Sequence, residues 1–115
     1  MNAYLIPGKY TIDQAISETF CISEDRLKAE DRRKKREEVE ARQLAMWWRE
    51  QNTNDTLAEI GKIYGGRDHA TVLHAKKTIN DLMQTNKVFR QKAEKVFKLL
   101  EITLLNNGQT TKNKR

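Results

Sequence analysis

The sequence predicts an all-α fold, a small multi-helix bundle, and three observations carry that expectation. Apolar residues recur at three- and four-residue spacing along most of the chain, the period of an amphipathic helix. Side chains that cap helices stand where the apolar stretches begin. No segment alternates apolar and polar residues as a half-buried strand does. With 115 residues, 37% hydrophobic and 33% charged, the chain can bury one core in one domain.

The elements follow in order. Residues 1–10 hold the only proline and show no period, so they read as an extended arm. Thr11 is an N-cap for a helix that buries Ile12, Ala15, Ile16 and Phe20. Ser23 can cap a short second helix through the backbone of Glu24 to Arg26. The run Arg32-Arg33-Lys34-Lys35-Arg36 has nothing apolar to bury and reads as an exposed loop or a frayed helix start. Residues 37–51 form an amphipathic stretch around Leu44, Ala45 and Trp48, stopped by Asn52-Thr53-Asn54-Asp55. Thr56 restarts the helix, with Glu59 completing a capping box. Leu57, Ala58, Ile60, Ile63 and Tyr64 supply its apolar face, and Gly65-Gly66 end it with the left-handed backbone of a tight turn. Arg67 or Asp68 opens a longer helix, with Val72, Leu73, Ala75, Ile79, Leu82 and Met83 expected in the core. Asn86 breaks it, and a last helix runs from about Lys87 to Asn106. The helical unit thus spans residues 11–106, and residues 107–115 read as a disordered basic tail.

A net charge of +6 favours a polyanionic partner. The N-terminus lacks the charged and apolar regions of a signal peptide, and no apolar run approaches the ~18 residues of a membrane span. The single cysteine, Cys21, is flanked by Phe20 and Ile22 and is expected to pack as a small apolar residue. A reducing, cytoplasmic setting follows as an expectation, nucleoid-associated if the polyanion is chromosomal DNA. Asp13, Glu18 and the other carboxylates are expected on exposed, charge-rich helices, and no nucleophile–base constellation stands at usable spacing, so no enzymatic activity is expected. His69 and His74 are five apart, which does not make the i, i+4 pair of a zinc site, and no metal or other cofactor is expected. His74 is expected to make a structural hydrogen bond or to pack under its helix.

A short helix, a glycine turn and a longer helix form a helix-turn-helix pattern. The second helix of such a motif reads base edges in the major groove with its first residues. Here those are Arg67, Asp68, His69, Ala70 and Thr71, polar except for Ala70. Asp can accept from cytosine, His can donate or accept, and the methyls of Ala and Thr suit thymine. Lys76 and Lys77 suit phosphates, which set register without carrying sequence information.

The stretch from Glu59 through Gly65-Gly66-Arg67-Asp68-His69 to Thr71-Val72-Leu73-His74-Ala75 resembles the C-terminal DNA-binding domain (domain IV) of DnaA, the bacterial chromosomal replication initiator. Ala41-Arg42-Gln43-Leu44-Ala45-Met46 is similar to the family's ARQ-x-AM helix, and the basic run before it corresponds to the family's basic loop. The resemblance covers roughly residues 11–100 and implies a Trp repressor-like bundle that binds double-stranded DNA at a short asymmetric site, the DnaA box. It implies base reading by Asp68, His69, Ala70 and Thr71, and entry of Lys34, or of Lys35 or Arg36, into the adjacent minor groove or against phosphate. Arg42, Gln43, Thr56, Arg67, Lys76 and Lys77 would contact the backbone or nearby groups.

This sequence departs from the family where Ala70 replaces the usual threonine and where Glu37, Glu38 and Glu40 interrupt the basic segment. It also lacks the G-x-x-x-x-G-K-[ST] loop of an ATPase, so the expectation is a DNA-reading head without its nucleotide-driven motor. The starting Met and polar tail suit a complete product, with a fragment as the alternative, acting in replication or transcription or as a phage or mobile-element factor. A rival expectation is a protein-interaction module on the same fold, docking a partner through Trp47 or the last helix. Trp47 itself is read first as a lid over a neighbouring helix, with the partner contact as the alternative.

Overall fold

A computed structural model describes residues 10–30 and 35–106, without the side chains of residues 102–106. Six helices and no strand are found among the described residues. The expected arm, apart from Tyr10, and the expected tail lie outside them, as does Lys34.

Helix α1 (Ile12–Phe20) starts as its sequence dictates: Thr11 Oγ1 accepts from the Gln14 N–H, and Gln14 Oε1 accepts from the Thr11 N–H, both at 3.1 Å. This satisfies two helix-end donors reciprocally. Ile12, Ala15, Ile16 and Phe20 are buried. The helix ends at Cys21, the one non-glycine residue with positive φ (57°) among those described. That left-handed position reverses the chain and leaves the Cys21 side chain exposed, contrary to the expected apolar packing. Helix α2 (Glu24–Leu27) is capped by Ser23, whose Oγ accepts from the Arg26 N–H at 3.2 Å, and it buries Leu27.

Helix α3 (Arg36–Asn52) buries Ala41, Leu44, Ala45 and Met46. Two long-range bonds fasten α2 to it: Arg26 meets Glu38 at 2.9 Å, and Arg42 Nε donates to the Leu27 carbonyl at 3.3 Å. Helix α4 (Leu57–Ile63) begins with the expected capping box of Thr56 and Glu59. It buries Ile60, while Ala58, expected on the apolar face, is exposed. Helix α5 (His69–Thr85) and helix α6 (Lys87–Asn106) meet at Asn86. The Asn86 N–H donates to the Leu82 carbonyl, and Asn86 Oδ1 accepts from the Phe89 N–H, so one residue closes α5 and opens α6.

Helix α3 packs chiefly on α5, α1 on both α6 and α3, and α4 on α5. The core between them is continuous and includes Ile16, Leu27, Leu44, Ile60, Val72, Ile79 and Val96. Each such aliphatic side chain stabilises the fold by roughly 1.5–3 kcal/mol relative to exposure.

One polar network runs through this core. Asp13, expected on an exposed helix, is only 3% exposed. The Tyr64 hydroxyl donates to Asp13 Oδ1 at 2.5 Å and accepts from Arg49 Nε at 2.8 Å. Lys28 and Arg49 approach Asp13 Oδ2 at 3.4 and 3.6 Å, and Arg49 also reaches Asp55 at 3.5 Å. Burial, and then the Asp13 charge, push the Tyr64 hydroxyl far above its ordinary pKa, so it stays a donor. Because Tyr64 caps the C-terminus of α4, the network fixes the start of the α4–α5 turn against α1 and α3.

Candidate nucleic-acid interface

The turn between α4 and α5 is built from glycines in two different ways. Gly65 and Gly66 have φ of 95° and 70°, the backbone region closed to most side chains. Gly61 acts by its size: a Cβ there would lie 1.9 Å from the Arg67 carbonyl oxygen and 2.8 Å from its carbon. The Arg67 N–H donates to the Gly61 carbonyl at 2.8 Å. The entry to α5 therefore rests directly on the backbone of α4. Gly65 is crowded as well, since a Cβ would meet the Ala29 carbonyl at 2.4 Å.

This rigid turn delivers the first turn of α5 to the surface, where Asp68, His69, Ala70 and Thr71 are all exposed. Asp68 is the N-cap. Its Oδ1 accepts from both the Thr71 N–H and the Thr71 hydroxyl at 2.9 Å. The backbone N–H of Thr71, then its hydroxyl, hold the Asp68 carboxyl below the usual carboxylate range. Asp68 and Thr71 thus divide their polar atoms between capping and the outer surface, whereas His69 and Ala70 stand outside that pair.

The remaining expected site residues separate into four groups. Lys35, Arg36 and Lys77 are exposed, with Arg36 Nε 3.8 Å from Glu40. Gln43 is half-buried, and Lys76, also half-buried, meets Glu50 at 3.3 Å. Thr56 is exposed but holds the α4 capping box, and Arg67 donates to the Gly65 carbonyl at 3.2 Å, bracing the turn. Arg42 is in the interior at 5% exposure, bonded to the end of α2.

One expectation changes: Leu73, expected in the core, is 48% exposed, because Val72, Ala75 and Ile79 already fill the inward side of α5. Of the two alternatives for His74, the structure has the hydrogen bond: the side chain is exposed, with Nε2 3.4 Å from the Thr78 hydroxyl. Sequence reasoning also missed Gly61, Asp13 and Tyr64 as the parts that aim the turn. A glycine inside a short helix was the available signal for the first.

The acidic residues near the basic segment lie in the first two turns of α3. Glu38 pairs with Arg26 at 2.9 Å, Glu37 with Lys92 at 3.8 Å and Glu40 with Arg36. Trp47 forms a lid: its Nε1 donates to Asn80 at 3.0 Å, and its ring lies 5.9 Å from that of Phe97. Among the described residues no cluster of three or more metal-ligating side chains occurs, and no helix is long and apolar enough to cross a membrane.

Comparison with known proteins finds relatives for this part of the chain. Residues 10–79 match the family model described as bacterial DnaA protein helix-turn-helix, which includes the turn and the exposed start of α5. The chromosomal replication initiator protein DnaA of Flavobacterium psychrophilum is 41% identical over 91 residues, 79% of this chain and 19% of that protein. Those of Porphyromonas gingivalis and Chlorobaculum tepidum are 36% and 38% identical, over 77% and 80% of this chain and 18% of each relative. The chain therefore spans about a fifth of the length of these relatives. With most of the described fold inside that match, the chain belongs to the family of the DnaA C-terminal helix-turn-helix domain.

Proposed function

We propose that this chain binds double-stranded DNA with sequence preference, at a DnaA-box-like site, by placing the first turn of α5 in the major groove. The observation that carries the reading is the α4–α5 turn, held by Gly61, Gly65 and the Tyr64–Asp13 bond, which presents Asp68, His69, Ala70 and Thr71 together at the surface. A major groove of B-DNA admits one helix. The positive end of the α5 dipole also favours the approach of phosphate at that terminus.

In this reading His69 and Ala70 lead the base contacts, and Asp68 and Thr71 contribute the faces not engaged in the cap. Lys35, Arg36 and Lys34 of the basic segment enter the minor groove or contact phosphate, joined by Lys77, Lys76 and Gln43. Thr56, at the N-terminus of α4, and Arg67, just ahead of α5, would contact the DNA backbone. Arg42 is a positioning residue, because it spends its Nε on the Leu27 carbonyl. The protein acts in replication or transcription as a DNA-reading factor at the nucleoid, without nucleotide, cofactor or catalytic step of its own.

Acidic residues beside the basic segment would favour the rival protein-docking reading, since they repel phosphate. Glu37, Glu38 and Glu40 all have cationic partners within the chain, so their charge on an approaching phosphate is partly offset. Trp47 already covers α5 and α6. We therefore favour the DNA reading.

The test is fluorescence anisotropy with two labelled duplexes, one carrying a DnaA box and one scrambled, at several salt concentrations. The box should bind more tightly, and both affinities should fall with salt by a log–log slope of about −0.9 per neutralised phosphate. Equal affinity for the two duplexes would remove the sequence-reading claim. Absence of binding to either would remove the DNA reading altogether.

A further inference from the structure

Four large apolar side chains meet on the surface between the end of α3 and the second half of α6. Trp47, Trp48, Phe97 and Leu100 are each half-buried and pack against the core. With Asn52 and Glu101, both exposed, at the rim, they line an open groove of about 310 Å³. Trp47 spends its indole N–H on Asn80. The Trp48 carbonyl accepts from Asn52, but its indole N–H has no acceptor among the described residues. The groove thus offers apolar surface and one unused donor.

The chain that precedes α1 starts beside this groove. Phe20, at the end of α1, lies 6.4 Å ring to ring from Phe89 near the start of α6, and Lys92 Nζ stands 5.1 Å over the Phe20 ring. Helix α1 packs along α6, so the two run antiparallel. Its nine residues, about 13 Å of helix, bring the start of α1 level with the second half of α6. At the same end Asp13 meets Arg49, the neighbour of Trp48, at 3.6 Å. Tyr10 is held there by packing against the core and by a bond to Glu18 at 2.7 Å.

Of the two terminal stretches, residues 107–115 contain no apolar side chain, whereas residues 1–9 include Tyr4-Leu5-Ile6. Pro7-Gly8 follows, the pair that a type II turn takes at its central positions, and a turn there sends the preceding residues back over the bundle. Pro7 to Lys9 can span at most about 11 Å, roughly two turns of helix. An extended segment also carries carbonyls that seek donors. Lys9 is the one charged side chain of residues 1–9 and is opposite in sign to Glu101 at the rim.

We propose that Tyr4-Leu5-Ile6 docks into the groove of Trp47, Trp48, Phe97 and Leu100 of the same chain. The Trp48 N–H then donates to a carbonyl of the segment, and Lys9 faces Glu101. Occupied from within, this face is closed to the protein partner that Trp47 and the last helix would otherwise attract. The inference does not depend on the DNA-binding reading.

Trp47 and Trp48 are the only tryptophans of the chain, so indole emission reports on the groove alone. The first comparison sets the full chain beside its Leu5→Ser, Ile6→Ser double variant. Both residues precede the helical bundle, so far-UV circular dichroism should not change. Emission should shift to longer wavelength, and quenching by acrylamide should rise. The second comparison removes the only thiol with Cys21→Ser and attaches a nitroxide, a short-range quencher of indole emission, to Leu5→Cys or, as a control, to Thr110→Cys. The label at position 5 should quench strongly, by the same fraction at every protein concentration, and the label at position 110 weakly.

Unchanged emission and quenching in the double variant would overturn the proposal, as would equal quenching from positions 5 and 110. Quenching from position 5 that grows with protein concentration would overturn it too, because the groove would then hold the segment of a second copy. Discrimination between duplexes is read separately, so failure of this contact leaves the DNA reading standing.

Discussion

Replacing Gly61 by alanine should damage this fold more than replacing Gly66, although Gly66 and not Gly61 has the unusual backbone. The reason lies in what each new Cβ meets. At position 61 it would stand 1.9 Å from the Arg67 carbonyl oxygen, so the α5 entry must retreat by about 1.4 Å to regain an ordinary carbon–oxygen contact near 3.3 Å. Backbone, unlike the end of a side chain, has no rotamer by which to escape. The retreat also strains the 2.8 Å bond from the Arg67 N–H to the Gly61 carbonyl. Overpacking of about 1–3 kcal/mol and a weakened hydrogen bond of about 1 kcal/mol add to roughly 2–4 kcal/mol. At position 66 nothing lies within 4 Å, and only the φ of 70° opposes a side chain, worth about 1–2 kcal/mol. Urea denaturation of Gly61→Ala and Gly66→Ala should place the first well below the second in stability. Thermal midpoints should separate in the same order, by about 4–8 °C per kcal/mol for a domain of this size. Equal midpoints, or Gly66→Ala as the less stable variant, would refute the close-approach argument.

Tyr64→Phe removes a hydroxyl that bonds two charged groups, so it should destabilise by about 1.5–3 kcal/mol in urea denaturation; a double-mutant cycle with Asp13→Asn should show coupling between the two sites. Asp68 titrates below the usual carboxylate range because it caps α5, so its contribution is complete above the unfolded carboxylate pKa and is lost as pH falls through the lowered folded value. The stability gap between the unsubstituted protein and Asp68→Ala should accordingly shrink in acid, measured by denaturation at stepped pH. Lys34→Ala with Lys35→Ala should weaken binding to every duplex alike and reduce the salt slope by about one to two, as read by anisotropy at several salt concentrations.

The parts of this fold that were legible in the sequence are those decided within a few residues. The Thr11 cap, the capping box of Thr56 with Glu59, and the Ser23 cap need only a side chain and a backbone three positions away. The glycine turn and the polar start of α5 were legible for the same reason. What escaped depends on partners far along the chain. Asp13 is buried because Tyr64, 51 residues later, donates to it, and spacing around Asp13 carries no trace of that. Periodicity placed both Val72 and Leu73 inside, yet adjacent residues on a helix differ in direction by about 100°, and only the packing of α3 and α4 on α5 selects Val72. Cys21 has apolar neighbours, but the left-handed position it occupies turns it outward. Arg42 looks like a surface cation until the end of α2 is laid against it.

The surface formed by the start of α5 is tested most directly by the affinity difference between a DnaA-box duplex and its scrambled counterpart, measured for the unsubstituted protein and for His69→Ala at one moderate salt concentration. The expected result is a preference for the box that His69→Ala reduces by about 1–3 kcal/mol, while affinity for the scrambled duplex stays the same. Undiminished discrimination in His69→Ala, or loss of affinity by the same factor on both duplexes, would contradict base reading by the first turn of α5.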